Sequence, residues 1–273
     1  KLGLLIYIIV QLLNNLLMLI NGIIGYPLKN PRSIPIWKHF FKKNKIKAAM
    51  FKFEIKPSDL KSFIEKIKSN KNFKATAVTM PYKNKIYNYV DKFDNFAKNA
   101  KSINLIVKRN KKLFGYNTDV YGANESIKKI INNYKFIIII GLGGTGSAIF
   151  NFLKNRYKNK NFLLVSKKFK VKKNIKTKVV KNLDKKILLN KSLIINCSPL
   201  GSNLKKSFIS KSPIKKNLIN SINKKSTIFD IIYSPQKTFL SKLLKKNKIK
   251  YINGKFMNTV QAIRALEIAF GKK

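Results

Sequence analysis

Residues 134–155, YKFIIIIGLGGTGSAIFNFLKN, constrain the fold of this chain more than any other stretch. Phe136 to Ile140 form an unbroken apolar run, the pattern of a strand covered by helices on both faces of a parallel sheet. Gly141-Leu142-Gly143-Gly144-Thr145-Gly146 follows, and then an apolar pattern of helical period. Glycines allow a tight turn and let the backbone approach a pyrophosphate without a blocking Cβ, while the helix N-terminus aims N–H donors at the same oxygens. The bland reading is a turn that needs glycine for geometry alone. In a strand–turn–helix context the stronger reading is a dinucleotide site on Gly141, Gly143, Gly144, Thr145 and Gly146.

The next apolar segment, NFLLVSK (161–167), ends in Val165-Ser166-Lys167-Lys168, with no carboxylate to accept bonds from a ribose. Cations at this position favour a 2′-phosphate, so NADP is the expected cofactor, with Ser166, Lys167 and Lys168 beside the adenosine ribose.

The remaining pattern predicts an α/β chain. Strands are expected at 21–27, 48–55, 73–81, 178–180, 192–198, 227–233 and 248–254, with helices at 37–45, from Pro57 to about Ile67, and at 258–271. Ser58 or Asp59 is a candidate cap for the second of these helices. Residues 102–108 and 112–117 read as a hairpin at the rim of a largely parallel layer. These elements divide into a substrate domain (21–120 and 252–273) and an inserted Rossmann-type domain (121–251), with the C-terminal helix returning to the first. Residues 1–20 are a hydrophobic extension; they approach bilayer-spanning length, but Gln11, Asn14 and Asn15 interrupt them, and membrane association is not expected.

Composition narrows the chemistry. One histidine and one cysteine, His39 and Cys197, remove most His-based catalysis, cysteine metal clusters and any intrachain disulfide. Cys197 follows an apolar strand and reads as a small buried residue, and a metal site is not expected. The net charge of +49 comes almost wholly from lysine spread along the chain, since arginine occurs only at 32, 109, 156 and 264. A dedicated nucleic-acid binder concentrates charge on one face beside a recognition motif. The non-enzyme alternative is therefore a polyanion-binding protein, held behind the enzyme reading.

Three short segments, VTMPYK (78–83), GYNTDVYG (115–122) and NGKFMNTVQA (253–262), stand out from this background. Together with GLGGTGSA, INCSPLG (195–201) and DIIYSP (230–235), they resemble the shikimate dehydrogenase family in order and spacing. The resemblance implies NADP-dependent reversible reduction of 3-dehydroshikimate to shikimate, a step of chorismate and aromatic amino acid biosynthesis, in the cytoplasm. It implies an α/β substrate domain and a Rossmann domain with the active site in the cleft between them. It places the catalytic pair on Lys83 and Asp119, and substrate contacts on Ser33, Thr79, Asn104, Tyr233 and Gln261. Gly254 and Met257 are further cofactor positions. Chemistry supports the pair independently: hydride delivery to a ketone builds negative charge on oxygen, which a lysine ammonium stabilises and protonates.

Against these roles, Lys83 is one lysine among many, and Asp119 precedes a plausible helix that it could simply cap. The chain also departs from the family pattern. Pro31 stands where a serine is usual, Ala77 where an asparagine is usual, and Ser147 where a basic residue is common. A lost hydrogen bond to a charged carboxylate costs about 1.5–3 kcal/mol, so weaker or broader substrate binding is expected. The alternatives are a quinate/shikimate dehydrogenase of relaxed specificity and a non-catalytic NADP-binding homologue. Monomer and homodimer both remain open.

Overall fold

The computed structural model describes residues 18–29, 31–166 and 176–271. The hydrophobic extension up to residue 17, and with it most of the 1–20 block, lies outside the described residues, as do Lys167 and Lys168. No helix among the described residues is long and apolar enough to cross a membrane. The chain falls into two compact units, residues up to Thr118 with Ala262 onward, and Asp119–Gln261.

The first unit is built on a six-stranded mixed sheet. Strands β1 (Leu19–Gly25), β2 (Ala48–Glu54) and β3 (Phe73–Val78) are parallel, with β1 between the other two. A hairpin of β5 (Leu105–Arg109) and β6 (Lys112–Tyr116) continues the sheet, with β5 antiparallel to β3. The sheet is thus less parallel than the alternation of elements suggests. The hairpin is also not its rim, because the two-residue strand β4 (Lys92–Phe93) pairs parallel outside β6. A strand that short has no period for a sequence reading to detect.

Both faces of this sheet are covered. On one, Leu60, Ile64 and Ile67 of helix α2 (Leu60–Ser69) join Ile20, Phe53, Tyr82 and Ile106 in an apolar cluster. On the other, Trp37 and Phe41 of helix α1 (Ser33–Lys43) pack with Met50, Leu105 and the last turns of the C-terminal helix. Helix α1 begins four residues before the expected start and includes Pro35. That proline falls in the first turn, where its missing N–H forfeits no intrahelical bond. The expected cap of α2 is not made: neither Ser58 nor Asp59 caps it through a side chain, and the Ser58 hydroxyl donates to Asp59 Oδ1 instead, at 2.7 Å. His39 lies exposed on α1.

The second unit carries an all-parallel sheet in the order β12-β11-β10-β7-β8-β9. Its strands are β7 (Phe136–Ile140), β8 (Asn161–Val165), β9 (Thr177–Val180), β10 (Ser192–Asn196), β11 (Thr227–Asp230) and β12 (Lys250–Asn253). Counted within the unit this is 3-2-1-4-5-6, the doubly wound order that binds dinucleotides where the winding reverses. The reversal falls between β7 and β10. Ile137 to Ile140 are buried, as the apolar run requires.

Candidate functional site

The glycine loop leaves β7 at this reversal and enters helix α5 (Gly144–Arg156). Its glycines answer three different demands. Gly141 has φ +88°, a left-handed conformation that side chains resist. A Cβ on Gly146 would sit 1.9 Å from the Gly141 carbonyl oxygen, so the helix start and the strand end could not approach as they do. A Cβ on Gly143 would meet no atom within 4 Å and would project into open space. Geometry alone accounts for the first two; only the third reserves room outside the loop. Helix α5 has no side-chain cap, and its first-turn N–H groups lack intrahelical partners. An uncapped helix N-terminus over an open glycine surface fits a pyrophosphate. Thr145 lies half-buried in that first turn, and Ser166 half-buried at the tip of β8, its N–H donating to the Val180 carbonyl.

The other glycine and methionine read as cofactor positions lie where β12 runs into the C-terminal helix (Lys255–Phe270). Gly254 is buried against β11's exit: a Cβ would fall 2.1 Å from the Ile231 carbonyl oxygen, and its own N–H donates to Ile232 at 3.0 Å. Met257 is buried, and its carbonyl faces Gly122 of helix α4 (Thr118–Ile127). A Cβ on Gly122 would lie 2.6 Å from the Met257 carbonyl oxygen and 3.2 Å from Gln261 Cβ. Helix α4 and the C-terminal helix therefore meet at Gly122, one turn beyond Asp119, and bring Gln261 to that crossing. Tyr233 is half-buried two residues after Ile231.

In the first unit the sequence-predicted residues gather at one end of the sheet. The Val78 N–H donates to the Asn104 carbonyl, and the Ile103 N–H to the Lys83 carbonyl, at 2.8 and 2.7 Å. Thr79 follows β3, its N–H on Ile24 and its methyl against Gly25. Lys83 is half-buried. The Asn104 side chain accepts from Thr118 N at 2.7 Å and donates to Thr118 Oγ1 at 2.9 Å, so it braces the start of α4. Asp119 is half-buried in the first turn of that helix, one residue inside its first residue, and is not the residue that holds the Thr118 amide. Ser33 opens α1; its Oγ is buried without a protein partner, a loss that a polar ligand group would make good. Thr79, Lys83 and Asn104 thus share a region of the first unit, while Asp119, Tyr233, Met257 and Gln261 belong to the second.

Residues 23–106 match the model of the shikimate dehydrogenase substrate binding domain. A shikimate dehydrogenase (NADP(+)) of Clostridium beijerinckii is 33% identical over 255 residues, covering 90% of each chain. The chain belongs to the shikimate dehydrogenase family. Two solved members extend the likeness to the fold. Shikimate dehydrogenase 1 of Peptoclostridium difficile superposes with a TM-score of 0.76 at 28% identity, over 94% of this chain and 93% of the other. A shikimate dehydrogenase crystallised in complex with NADP+ gives a TM-score of 0.78 at 25% identity, over 94% and 91%.

Within this family member the departures have physical settings. Ala77 packs into the apolar cluster under α1, so no polar group replaces the usual amide there. Arg32 stands exposed just before α1. The Ser147 hydroxyl donates to the Leu142 carbonyl at 3.1 Å and ties the glycine loop to its own helix. Cys197 is half-buried rather than fully buried, and desolvation together with the nearby Asp230 pushes its thiol above the usual range, which disfavours the reactive thiolate.

Sequence reasoning missed two sets of polar residues. Asp94 caps helix α3 (Asn95–Ala100) by accepting from Ala97 N and also accepts from Asn117 N, so it holds the segment before Asp119. Burial raises its pKa. The second set is joined by hydrogen bonds: Asn196 and Asp230 end β10 and β11, Tyr251 lies within β12, and Thr238 caps the helix that follows β11. A signal existed: with only ten acidic residues, an aspartate closing the apolar strand TIFD calls for partners.

Proposed function

We propose that this family member catalyses the NADP-dependent, reversible reduction of 3-dehydroshikimate to shikimate. The observation that carries the reading is the pairing of an open, uncapped glycine loop at the winding reversal with 33% identity, across 90% of both chains, to a shikimate dehydrogenase (NADP(+)). Bound nicotinamide supplies or accepts the hydride. Gly143, Gly144, Thr145 and Gly146 would hold the pyrophosphate, with Ser166, Lys167 and Lys168 at the adenosine ribose and Gly254 and Met257 toward the nicotinamide.

In the reduction direction Lys83 stabilises the developing alkoxide and delivers the proton; in oxidation it takes the proton back. Asp119 holds a ring hydroxyl of the substrate. Asn104, Thr79 and Gln261 bond the ring hydroxyls. Ser33 and Tyr233 receive the carboxylate, which gives the partnerless Ser33 hydroxyl its acceptor. A cytoplasmic setting fits a single cysteine and a diffusible pyridine nucleotide.

A relaxed preference, with quinate accepted beside shikimate, is favoured by Ala77 in its apolar surroundings and Pro31 in place of a hydroxyl. Following NADP+ reduction at 340 nm with shikimate, quinate and simple 2-hydroxy acids tests both readings. Turnover with shikimate supports the assignment, and comparable kcat/KM for quinate supports the relaxed form. NADPH binding without turnover of any of them would leave a non-catalytic homologue.

A further inference from the structure

The parallel sheet of the second unit ends in a buried polar cluster that the proposed chemistry does not use. Asp230 closes β11 and is 0% exposed. Its Oδ1 accepts two N–H bonds, from Asn196 Nδ2 at 2.9 Å and Ile232 N at 3.1 Å. Its Oδ2 faces two hydroxyls, Tyr251 at 3.2 Å and Thr238 at 3.5 Å. Asn196, also 0% exposed, turns its own Oδ1 the other way, accepting from Ser198 N at 3.0 Å and Ser198 Oγ at 2.8 Å.

Ser198 lies behind the glycine loop. A Cβ on Gly141 would fall 2.8 Å from Ser198 N and 2.9 Å from its Cα, and one on Gly146 would fall 3.0 Å from Cys197 Cβ. A continuous line of hydrogen bonds and packing therefore runs from the carboxyl group to the loop. The direction of that line depends on charge chemistry. An amide can turn either end toward a neighbour, but a carboxylate accepts only, so Asn196 must offer Asp230 its NH2 and Ser198 its carbonyl. With an apolar residue at 230 the Asn196 NH2 loses its acceptor, and only the bonds from Ser198 N–H and Oγ are left to hold the amide in that sense.

We propose that Asp230 and Asn196 form a positioning pair for cofactor binding, fixing the Cys197–Ser198 turn as the wall against which the Gly141–Gly146 loop takes its binding shape. Neither residue touches the cofactor. Among the described residues the groups bonded to Asp230, the Ile232 N–H, Asn196, Tyr251 and Thr238, are all neutral donors. The inference rests on the nucleotide reading of the glycine loop.

The test is NADPH affinity, read by fluorescence titration of the apoprotein beside its thermal midpoint, and shikimate KM beside NADP+ KM. Binding by the unaltered chain comes first; its absence overturns the nucleotide reading itself, whatever the variants do. Asp230→Ala is expected to weaken NADPH binding about tenfold, the scale of one hydrogen-bond network lost at a charged group. Shikimate KM should stay within about twofold, because that side of the reaction is not touched. Asp230→Asn should recover most of the affinity, since its Oδ1 still accepts from Asn196 and Ile232 while its NH2 donates to the two hydroxyls. Where Asp230→Ala does not fold, Ser198→Ala reads the far end of the same line and should weaken NADPH binding several-fold with little change in thermal midpoint. NADPH affinity unchanged in Ser198→Ala, or lost in step with shikimate affinity in Asp230→Ala, overturns the proposal.

Discussion

Asn104 and Thr118 close a two-point bond across the start of helix α4: Asn104 Oδ1 takes the Thr118 N–H at 2.7 Å, and Asn104 Nδ2 reaches Thr118 Oγ1 at 2.9 Å. Both residues are buried, and Asp119 is the next residue in the chain. Asn104 therefore fixes the helical turn from which Asp119 projects. Replacing Asn104 with alanine removes both of its bonds to Thr118, a cost of about 1–2 kcal/mol in stability. Because the turn carrying Asp119 loosens, kcat with shikimate should fall about tenfold or more. Unfolding curves and steady-state kinetics on Asn104→Ala check both; full kcat with reduced stability would confine Asn104 to scaffolding.

Lys83→Ala separates the chemical step from cofactor binding. The glycine loop, Ser166 and the β10 turn all belong to the second unit, while Lys83 lies in the first, its carbonyl bound by Ile103. Loss of a general acid typically removes about 10²–10⁴ in rate, so kcat should drop into that range with NADPH affinity preserved. Single-turnover absorbance with a parallel NADPH titration measures the two separately. Turnover equal to that of the unaltered chain would remove Lys83 from the reaction.

The glycines of the loop give a paired prediction. Gly143→Ala adds a methyl that meets no protein atom within 4 Å, so the fold should tolerate it, but the methyl occupies space assigned to the pyrophosphate. Gly146→Ala forces a contact 1.9 Å from the Gly141 carbonyl, so stability and binding should fall together. The expected signature is an unchanged thermal midpoint with weaker NADPH binding for Gly143→Ala, and a lowered midpoint for Gly146→Ala. Equal NADPH binding by Gly143→Ala and the unaltered chain would mean that the phosphates lie elsewhere.

These particulars also show what a sequence can carry. The run from Phe136 to Ile140 and the glycines after it are local signals, because a doubly covered strand and a tight turn write themselves into neighbouring residues. The nucleotide-type unit was legible for that reason. The cap expected from Ser58 or Asp59 was equally local and was not made, because Pro57–Asp59 form a 3-10 turn that runs straight into the helix, and Asp59 has helical rather than extended backbone there. What was not legible depends on residues distant in the chain. Asp230 meets Asn196 across 34 residues and Tyr251 across 21, and Asp94 reaches Asn117 across 23. Sheet pairing brings them together: Asn196 lies beside Asp230 in the register, Tyr251 comes from the strand paired with β11, and the pairing of Phe93 with Gly115 carries Asp94 to Asn117.

The pH dependence of stability follows from Asp230. Burial is the largest influence on this carboxyl and lifts it from its ordinary 3.8 to about 6, against the opposing pull of Ile232 N–H, Asn196, Tyr251 and Thr238. Between those two values the folded chain holds a proton that the unfolded chain has released. The contribution of the protonated form is therefore complete below about 3.8 and is lost as pH rises through about 6. At neutral pH the folded state carries a handicap of about 3 kcal/mol from this group relative to acid pH. Asp94, raised by burial too, acts in the same sense in the first unit, so the comparison must be with Asp230→Asn rather than with the pH axis alone. The stability of the unaltered chain minus that of Asp230→Asn should rise by roughly 2–2.5 kcal/mol as pH is lowered from 7.5 to 4, with most of the change between pH 6 and 4. Urea unfolding across that range measures it. A difference that stays flat would show that Asp230 does not titrate between its unfolded value and pH 7, and that its four donors hold it ionised throughout.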